Sequence, residues 1–297
     1  MEAFNGDFIQ RHARAAALFN DIHVIHVTYD YPDKEDNPGQ ELNNTGQLTE
    51  HIIYFKKKKS VKAKLTNQLR WLALYKKAIR NYIIKNGKPD LVHVHVPFKA
   101  GILGLWIKRN YKIPYLVTEH WGIYNNLIED NYVSRGIAFK RYTKKIFQQA
   151  SQFISVSDYL AKGVNRLVGK KEYEVIPNTV NTDLFFYKEK ENSSLRFIHV
   201  SNMVPLKNAE GILRSFKNFI QEHGNAELLM VGDKSSEIRN YAKSLDFPIA
   251  ALKFLGEIPY TQVATEMQAA DCLILFSNIE NSPCVIGEAL CCGLPVI

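Results

Sequence analysis

Apolar, β-branched runs alternate with segments of helical period from one end of the chain to the other. The runs at 22–28, 52–55, 91–96, 115–118, 153–156, 174–176, 197–201, 228–231, 253–255 and 272–276 read as strands. Several are continuously apolar, as strands covered on both faces are. Between them the spacing predicts helices over 7–19, 62–85, 134–149, 209–223, 260–269 and 284–291. Strand and helix in alternation build right-handed βαβ units and parallel sheets. So many strands exceed one comfortable twisted sheet, and the polar stretch YKEKENSSLR at 187–196 is the best linker. The pattern therefore predicts an α/β fold of two doubly wound, Rossmann-like domains, 1–187 and 188–297. The first opens on the loop FNGDF without a preceding strand, and the closing LPVI reads as the start of another. Both ends are expected to be truncated, and the chain as given is expected to be inactive.

Composition narrows the picture. At 297 residues the chain can bury a real core, and its apolar content argues against disorder. No apolar run reaches the roughly 18 residues of a membrane span, and charge interrupts the first residues as no signal peptide allows. Cys272, Cys284, Cys291 and Cys292 crowd the last stretch without metal-ligand spacing, which fits buried reduced thiols. The net charge of +8 is uneven: between His51 and Lys112 Asp90 is the one acid among many lysines and arginines, including lysines 56–59. Such a stretch is either a solvated face or a surface for an anionic partner. No nucleic-acid module or aromatic-interleaved basic strand accompanies it, so a membrane surface is the expected partner and nucleic acid is not.

The chemistry concentrates at the end, in ENSPCVIGEALCCGLPVI. Neither G-x-x-x-x-G-K-[ST], G-x-G-x-x-G nor H-E-x-x-H occurs. His93 and His95 alternate on a strand, but no carboxylates complete a metal site with them. Glu280 follows the strand at 272–276, at the end where open α/β sheets bind ligands. Ser282 is expected to cap the next helix, with Pro283 in its first position and Gly293 closing it. Glu288 then lies about five residues in, roughly 7–8 Å along the axis. A helix N-terminus between two acids suits a diphosphate with hydroxyls on either side, which describes a nucleotide-sugar.

This stretch resembles the E-x7-E motif of family 4 retaining glycosyltransferases, which have the GT-B architecture. The resemblance continues in order through NGDFIQRHA (5–13), DLVHVHVP (90–97), PYLVTEHWG (114–122), FISVSDYL (153–160), VIPNTVNTDLF (175–185), HVSNMVPLKN (199–208) and LLMVGD (228–233). It implies an acceptor-binding first domain and a nucleotide-sugar-binding second domain. Glu280 would hold hydroxyls of the transferred sugar and Glu288 the ribose, while Asn281 and Ser282 add backbone donors. Lys207 would neutralise the departing diphosphate with no metal or other cofactor, and Gly6 would admit the phosphates to the first loop. His120 resembles the family's histidine near the transferred sugar. Asn202 stands at the donor phosphates where the family often has arginine, and asparagine cannot supply that charge.

The resemblance implies sugar transfer with retention, from a nucleotide-sugar to a lipid-linked or polysaccharide acceptor, in cell-envelope synthesis. The reduced cysteines lead us to expect a cytoplasmic enzyme, and the basic stretch a peripheral place on the inner face of the membrane. A nucleotide-sugar epimerase of the same fold is the alternative, and a basic nucleic-acid-binding protein the remote one.

Overall fold

The computed structural model describes residues 7–29, 39–59, 63–190, 194–232, 236–248 and 250–297. The chain divides into two compact units, Met1–Pro177 and Asn178–Ile297. That division falls ten residues before the expected 187/188. Residues 178–187 go with the second unit because Phe185 is fully buried in that unit's core, packed with Ile198, Leu229 and Met267.

The first unit runs α1 (Asp7–Ala16), β1 (Ile22–Tyr29), β2 (Gln40–Thr45), β3 (Leu48–Phe55), α2 (Ala63–Asn86), β4 (Val92–His95), α3 (Pro97–Tyr111), β5 (Tyr115–Glu119), α4 (Ile137–Gln149), β6 (Gln152–Ser155), α5 (Asp158–Leu167) and β7 (Glu174–Val175). One sheet has the order β1-β3-β2, with β1 parallel and β2 antiparallel to β3. The other is wholly parallel in the order β4-β5-β6-β7. Tyr115, Val117 and Phe153 from its central strands bury against Ile146 and Phe147 of α4 and Leu160 and Val164 of α5. A smaller cluster joins α2 to α3 through Ile79, Leu103 and Ile107, with Trp71, Leu72 and Tyr75 packed on it.

The second unit runs β8 (Leu195–Val200), α6 (Ala209–His223), β9 (Ala226–Val231), α7 (Glu237–Ser244), β10 (Leu252–Gly256), α8 (Tyr260–Gln268), β11 (Cys272–Leu273) and α9 (Cys284–Cys291). Its parallel sheet has the order β10-β9-β8-β11. The alternation of side chains along β9 shows why it reads as apolar throughout. Leu228 and Met230 bury against Ile212, Leu213 and Phe216 of α6. Leu229 and Val231 point the other way, against Val263 and Met267 of α8 and Ala289 of α9. Both faces are covered, which is the doubly wound arrangement.

Several elements depart from the expected pattern. β2 carries QELNNT, an edge strand with one apolar residue, so its alternation is invisible. α3 follows β4 without a polar break, and α5 and α7 are short helices of 10 and 8 residues. β11 is shorter than the expected 272–276 because only two of its residues pair with β8. Ile274 N still donates to Ile198 O of β8 at 2.8 Å, while the closing residues line the other side: Leu273 N donates to Pro295 O at 2.9 Å, Ile297 N to Leu273 O at 3.0 Å and Leu275 N to Ile297 O at 2.7 Å. No disulfide joins the four cysteines, and burial pushes the Cys292 thiol up to about 11.

Candidate active site

In the second unit the candidate residues gather at the strand ends, beginning at His199, which is fully buried near the end of β8. Its Nδ1 lies 2.8 Å from the Ile274 carbonyl oxygen, which can only accept, so Nδ1 carries the proton. Nε2 is then the acceptor for the Ser201 hydroxyl at 2.7 Å, and Ser201 Oγ in turn accepts the Met203 N–H at 3.0 Å. Burial lowers the His199 pKa, which keeps this neutral tautomer in place. The chain of bonds shapes the turn after β8, where Met203 takes φ +50°. Gly232, at φ +112°, must be glycine here: a Cβ would lie 2.3 Å from Ser201 O.

That turn leads to a single 3-10 turn, Pro205–Lys207, and to Asn208, whose Oδ1 accepts the Gly211 N–H and caps α6. Asn278 N donates to Leu206 O at 2.8 Å, which ties this loop to the one carrying Glu280. The consequence is a direct ion pair between Lys207 Nζ and Glu280 Oε1. Both side chains remain about a quarter exposed (24% and 23%), so the pair is open to a ligand. Asn202 is exposed nearby in sequence and makes no contribution to the pair.

α9 begins at Cys284, and its N-cap is Pro283 rather than Ser282, with no capping bond from a side chain. The expected Ser282 cap is corrected by a residue 104 positions away: Asn178 N donates to Ser282 Oγ at 3.3 Å, and Asn178 Nδ2 to Ser282 O at 2.6 Å. Ser282 is spent on anchoring the loop to the segment after the unit boundary. Gly293 closes the helix at φ +76° as expected. Glu288 is 3% exposed and accepts a 2.6 Å hydrogen bond from Tyr260 Oη. It is no solvated helix-surface acid. A buried carboxylate needs such a partner, and Tyr260 is held in turn against Phe185, with ring centroids 4.9 Å apart.

In the first unit His120 follows β5 in a loop shaped by Glu119. That carboxyl is fully buried. Its Oε1 accepts the N–H groups of His120 and Trp121, each at 2.9 Å, and its Oε2 accepts Tyr124 Oη–H at 2.8 Å. Burial pushes the Glu119 pKa from 4.5 up to about 7, against the pull of those three bonds. A carboxyl whose pKa is raised on folding stabilises the fold below its unfolded pKa, and the contribution is lost as pH rises through the folded one. The difference is on the order of 3 kcal/mol. Glu119→Gln keeps the acceptor for both N–H groups while removing the titration. The variant is expected to lose less stability than wild type between pH 5 and pH 8 in urea unfolding, and equal losses would contradict this role.

His120 also joins a histidine cluster. Its ring stands 5.2 Å from that of His95, 5.3 Å from that of His12 on α1 and 4.7 Å from Phe8. His93 stacks on His95 at 3.9 Å. The chain turns sharply here, with Val96 at φ +60° and Lys99 at φ +70°, positions costly for residues with a Cβ and common beside functional groups. Among the described residues no group of three or more His, Cys, Asp or Glu side chains is arranged to hold a metal ion. Gly6 and Asp233 lie outside the described residues.

The structure thus joins Lys207 to Glu280 and seats Glu288 on the adjoining helix, while His120 belongs to the first unit. Sequence reasoning missed Glu119, His199 and Tyr260. A signal existed for the first two: each is a titratable residue beside the apolar run of a strand, and such residues are buried only with partners.

A family model for Glycosyltransferase Family 4 matches residues 8–184, and one for Glycosyl transferases group 1 matches residues 181–297. The alpha-monoglucosyldiacylglycerol synthase of Streptococcus pneumoniae is 24% identical over 72% of this chain and 53% of that protein. The N-acetyl-alpha-D-glucosaminyl L-malate synthase of Bacillus anthracis is 26% identical over 70% of this chain and 56% of that protein. The aligned part of the chain thus spans little more than half the length of these relatives. Among solved structures, sucrose-phosphate synthase from Thermosynechococcus elongatus superposes with a TM-score of 0.74 at 19% identity, covering 98% of this chain and 74% of that one. That likeness shows a shared fold, the GT-B type of two Rossmann-like domains. With the two family models between them spanning nearly the whole sequence, the chain belongs to glycosyltransferase family 4.

Proposed function

We propose that this protein transfers a sugar from a nucleotide-sugar to a lipid-linked or polysaccharide acceptor with retention of configuration. The observation that carries the reading is the Lys207–Glu280 ion pair, made by loops at the ends of two parallel strands beside the start of α9. A cation and an anion in contact there answer the two halves of a sugar diphosphate. The diphosphate takes Lys207 and the sugar hydroxyls take Glu280, so the donor divides the pair without stranding either charge. Glu288 is the acid for the ribose.

In the proposed reaction the anomeric carbon–oxygen bond to the diphosphate breaks while the acceptor oxygen bonds to that carbon on the same face. The acceptor's hydroxyl proton passes to the departing phosphate oxygen. Lys207 stabilises the charge that develops on the diphosphate, and Glu280 holds the sugar in place. The scheme assigns no protein nucleophile and requires no metal ion.

Incubation of the complete protein with nucleotide-sugars, with and without acceptor membranes, tests the reading through the anomeric proton coupling of the product. Retained configuration in an acceptor-dependent product is expected. A change in the sugar with no acceptor present would indicate an epimerase instead.

The lipid-linked acceptor draws support from the relative named for monoglucosyldiacylglycerol and from the basic stretch. No described helix is long and apolar enough to cross a membrane. Lysines 56–59 are exposed, and buried Asn67 fixes their backbone to α2 by bonds of 3.0 and 3.1 Å to Lys58. Leu65 and Leu69 stand out beside them at 63% and 58% exposure, whereas Trp71, Leu72 and Tyr75 turn into the core. Each cation near an anionic bilayer is worth about 1 kcal/mol. Replacing all four lysines with glutamine is expected to weaken pelleting with anionic vesicles on the order of a thousandfold. Unchanged pelleting would reduce the stretch to a solvated face.

A further inference from the structure

We propose that His95 is a positioning residue for His120: the hydrogen bond between His95 Nδ1 and His120 Nε2 sets which nitrogen of His120 carries its proton. The inference rests on the reading of His120 as the histidine that meets the transferred sugar. It goes further by saying what fixes the donor or acceptor character of that side chain.

The two nitrogens lie 3.0 Å apart. A hydrogen bond between neutral imidazoles has one proton, so one nitrogen donates and the other accepts. If His95 Nδ1 carries the proton, His120 Nε2 is bare and His120 Nδ1 carries its proton. If His95 Nδ1 is bare, His120 is protonated on Nε2. Either way both rings hold the same tautomer, and changing one changes the other.

The surroundings keep His95 neutral and its ring fixed. Its pKa is held well below the ordinary value by burial, then by His93, His120 and His12. His93 stacks on it from the same strand, tied by its own Nε2 to Thr118 Oγ1 at 2.7 Å. Thr118 pairs with His95 across the β4–β5 ladder, and its carbonyl accepts the Val96 N–H at 3.0 Å. On the His120 side, Glu119 holds the backbone of the loop. Both partners of the bond are therefore set by backbone and side-chain contacts on adjacent strands. Among the described residues, His12 and Phe8 from α1 and His93 from β4 face the pair.

The ring-nitrogen spectrum of the histidine-labelled protein reads the coupling directly, because long-range proton–nitrogen correlations distinguish the two tautomers. Wild type is expected to show the same tautomer at His95 and His120. His95→Phe keeps an aromatic ring but loses the bond, and is expected to move the His120 nitrogens toward a mixture. Different tautomers at the two histidines in wild type, or His120 nitrogen shifts unmoved by His95→Phe, would overturn the proposal. The reading of His120 fails separately, if His120→Ala turns over a nucleotide-sugar at the wild-type rate, a result that leaves these spectra as they are.

Discussion

Replacing Glu280 with glutamine is expected to lower kcat by roughly 10- to 150-fold while changing the donor KM much less. The assignment places Glu280 on hydroxyls of the sugar whose anomeric carbon gains positive charge, so its contacts strengthen on the way to the transition state. Interactions of that kind appear in kcat. A hydrogen bond to a charged group is worth about 1.5–3 kcal/mol, which converts to the stated range. The structure adds a second consequence. Lys207 pairs with Glu280, and glutamine leaves that lysine without its counter-charge, more available to the diphosphate. Donor binding is thus expected to hold steady or tighten as turnover falls. A Glu280→Gln enzyme with wild-type kcat and a raised KM would contradict the assignment.

Glu288→Gln is expected to do the reverse, raising the donor KM by a similar roughly 10- to 150-fold factor with kcat little changed. The ribose takes no part in bond making, so its contact is equally strong before and during reaction. Tyr260 already donates to Glu288 Oε1 at 2.6 Å, and glutamine can still accept that bond. The variant is therefore expected to fold normally and to lose only the oxygen assigned to a ribose hydroxyl. Tyr260→Phe is a useful companion, because it leaves the acid in place while removing its partner. Steady-state kinetics of the complete enzyme with donor varied at saturating acceptor check both, and an unaltered donor KM in Glu288→Gln would remove the ribose role.

How much of this was legible in the sequence depends on where each signal is stored. Strands buried on both faces announce themselves as apolar runs, and β1, β5, β8 and β9 lie within two residues of their expected bounds. The helices α6 and α9 match at both ends, since their faces repeat against a single sheet. β2 was illegible because an antiparallel edge strand of polar residues has no periodicity to show. The motif residues Lys207 and Glu280 could be named in advance, and their contact across 73 positions follows from two loops at neighbouring strand ends. Ser282 shows the limit of local reasoning. Its place before Pro283 is a good capping position, yet a tertiary partner, Asn178, takes both its hydroxyl and its carbonyl. The same holds for Glu119 and His199, whose roles exist only once distant groups close around them.

The most direct test of the central claim is calorimetric titration of the complete protein with a panel of UDP- and GDP-sugars. At least one is expected to bind saturably at a single site, and its affinity is expected to fall when Lys207 is replaced with alanine. If no member of the panel binds at millimolar concentration to protein that unfolds cooperatively, or if binding is indifferent to Lys207→Ala, the nucleotide-sugar site described here is wrong.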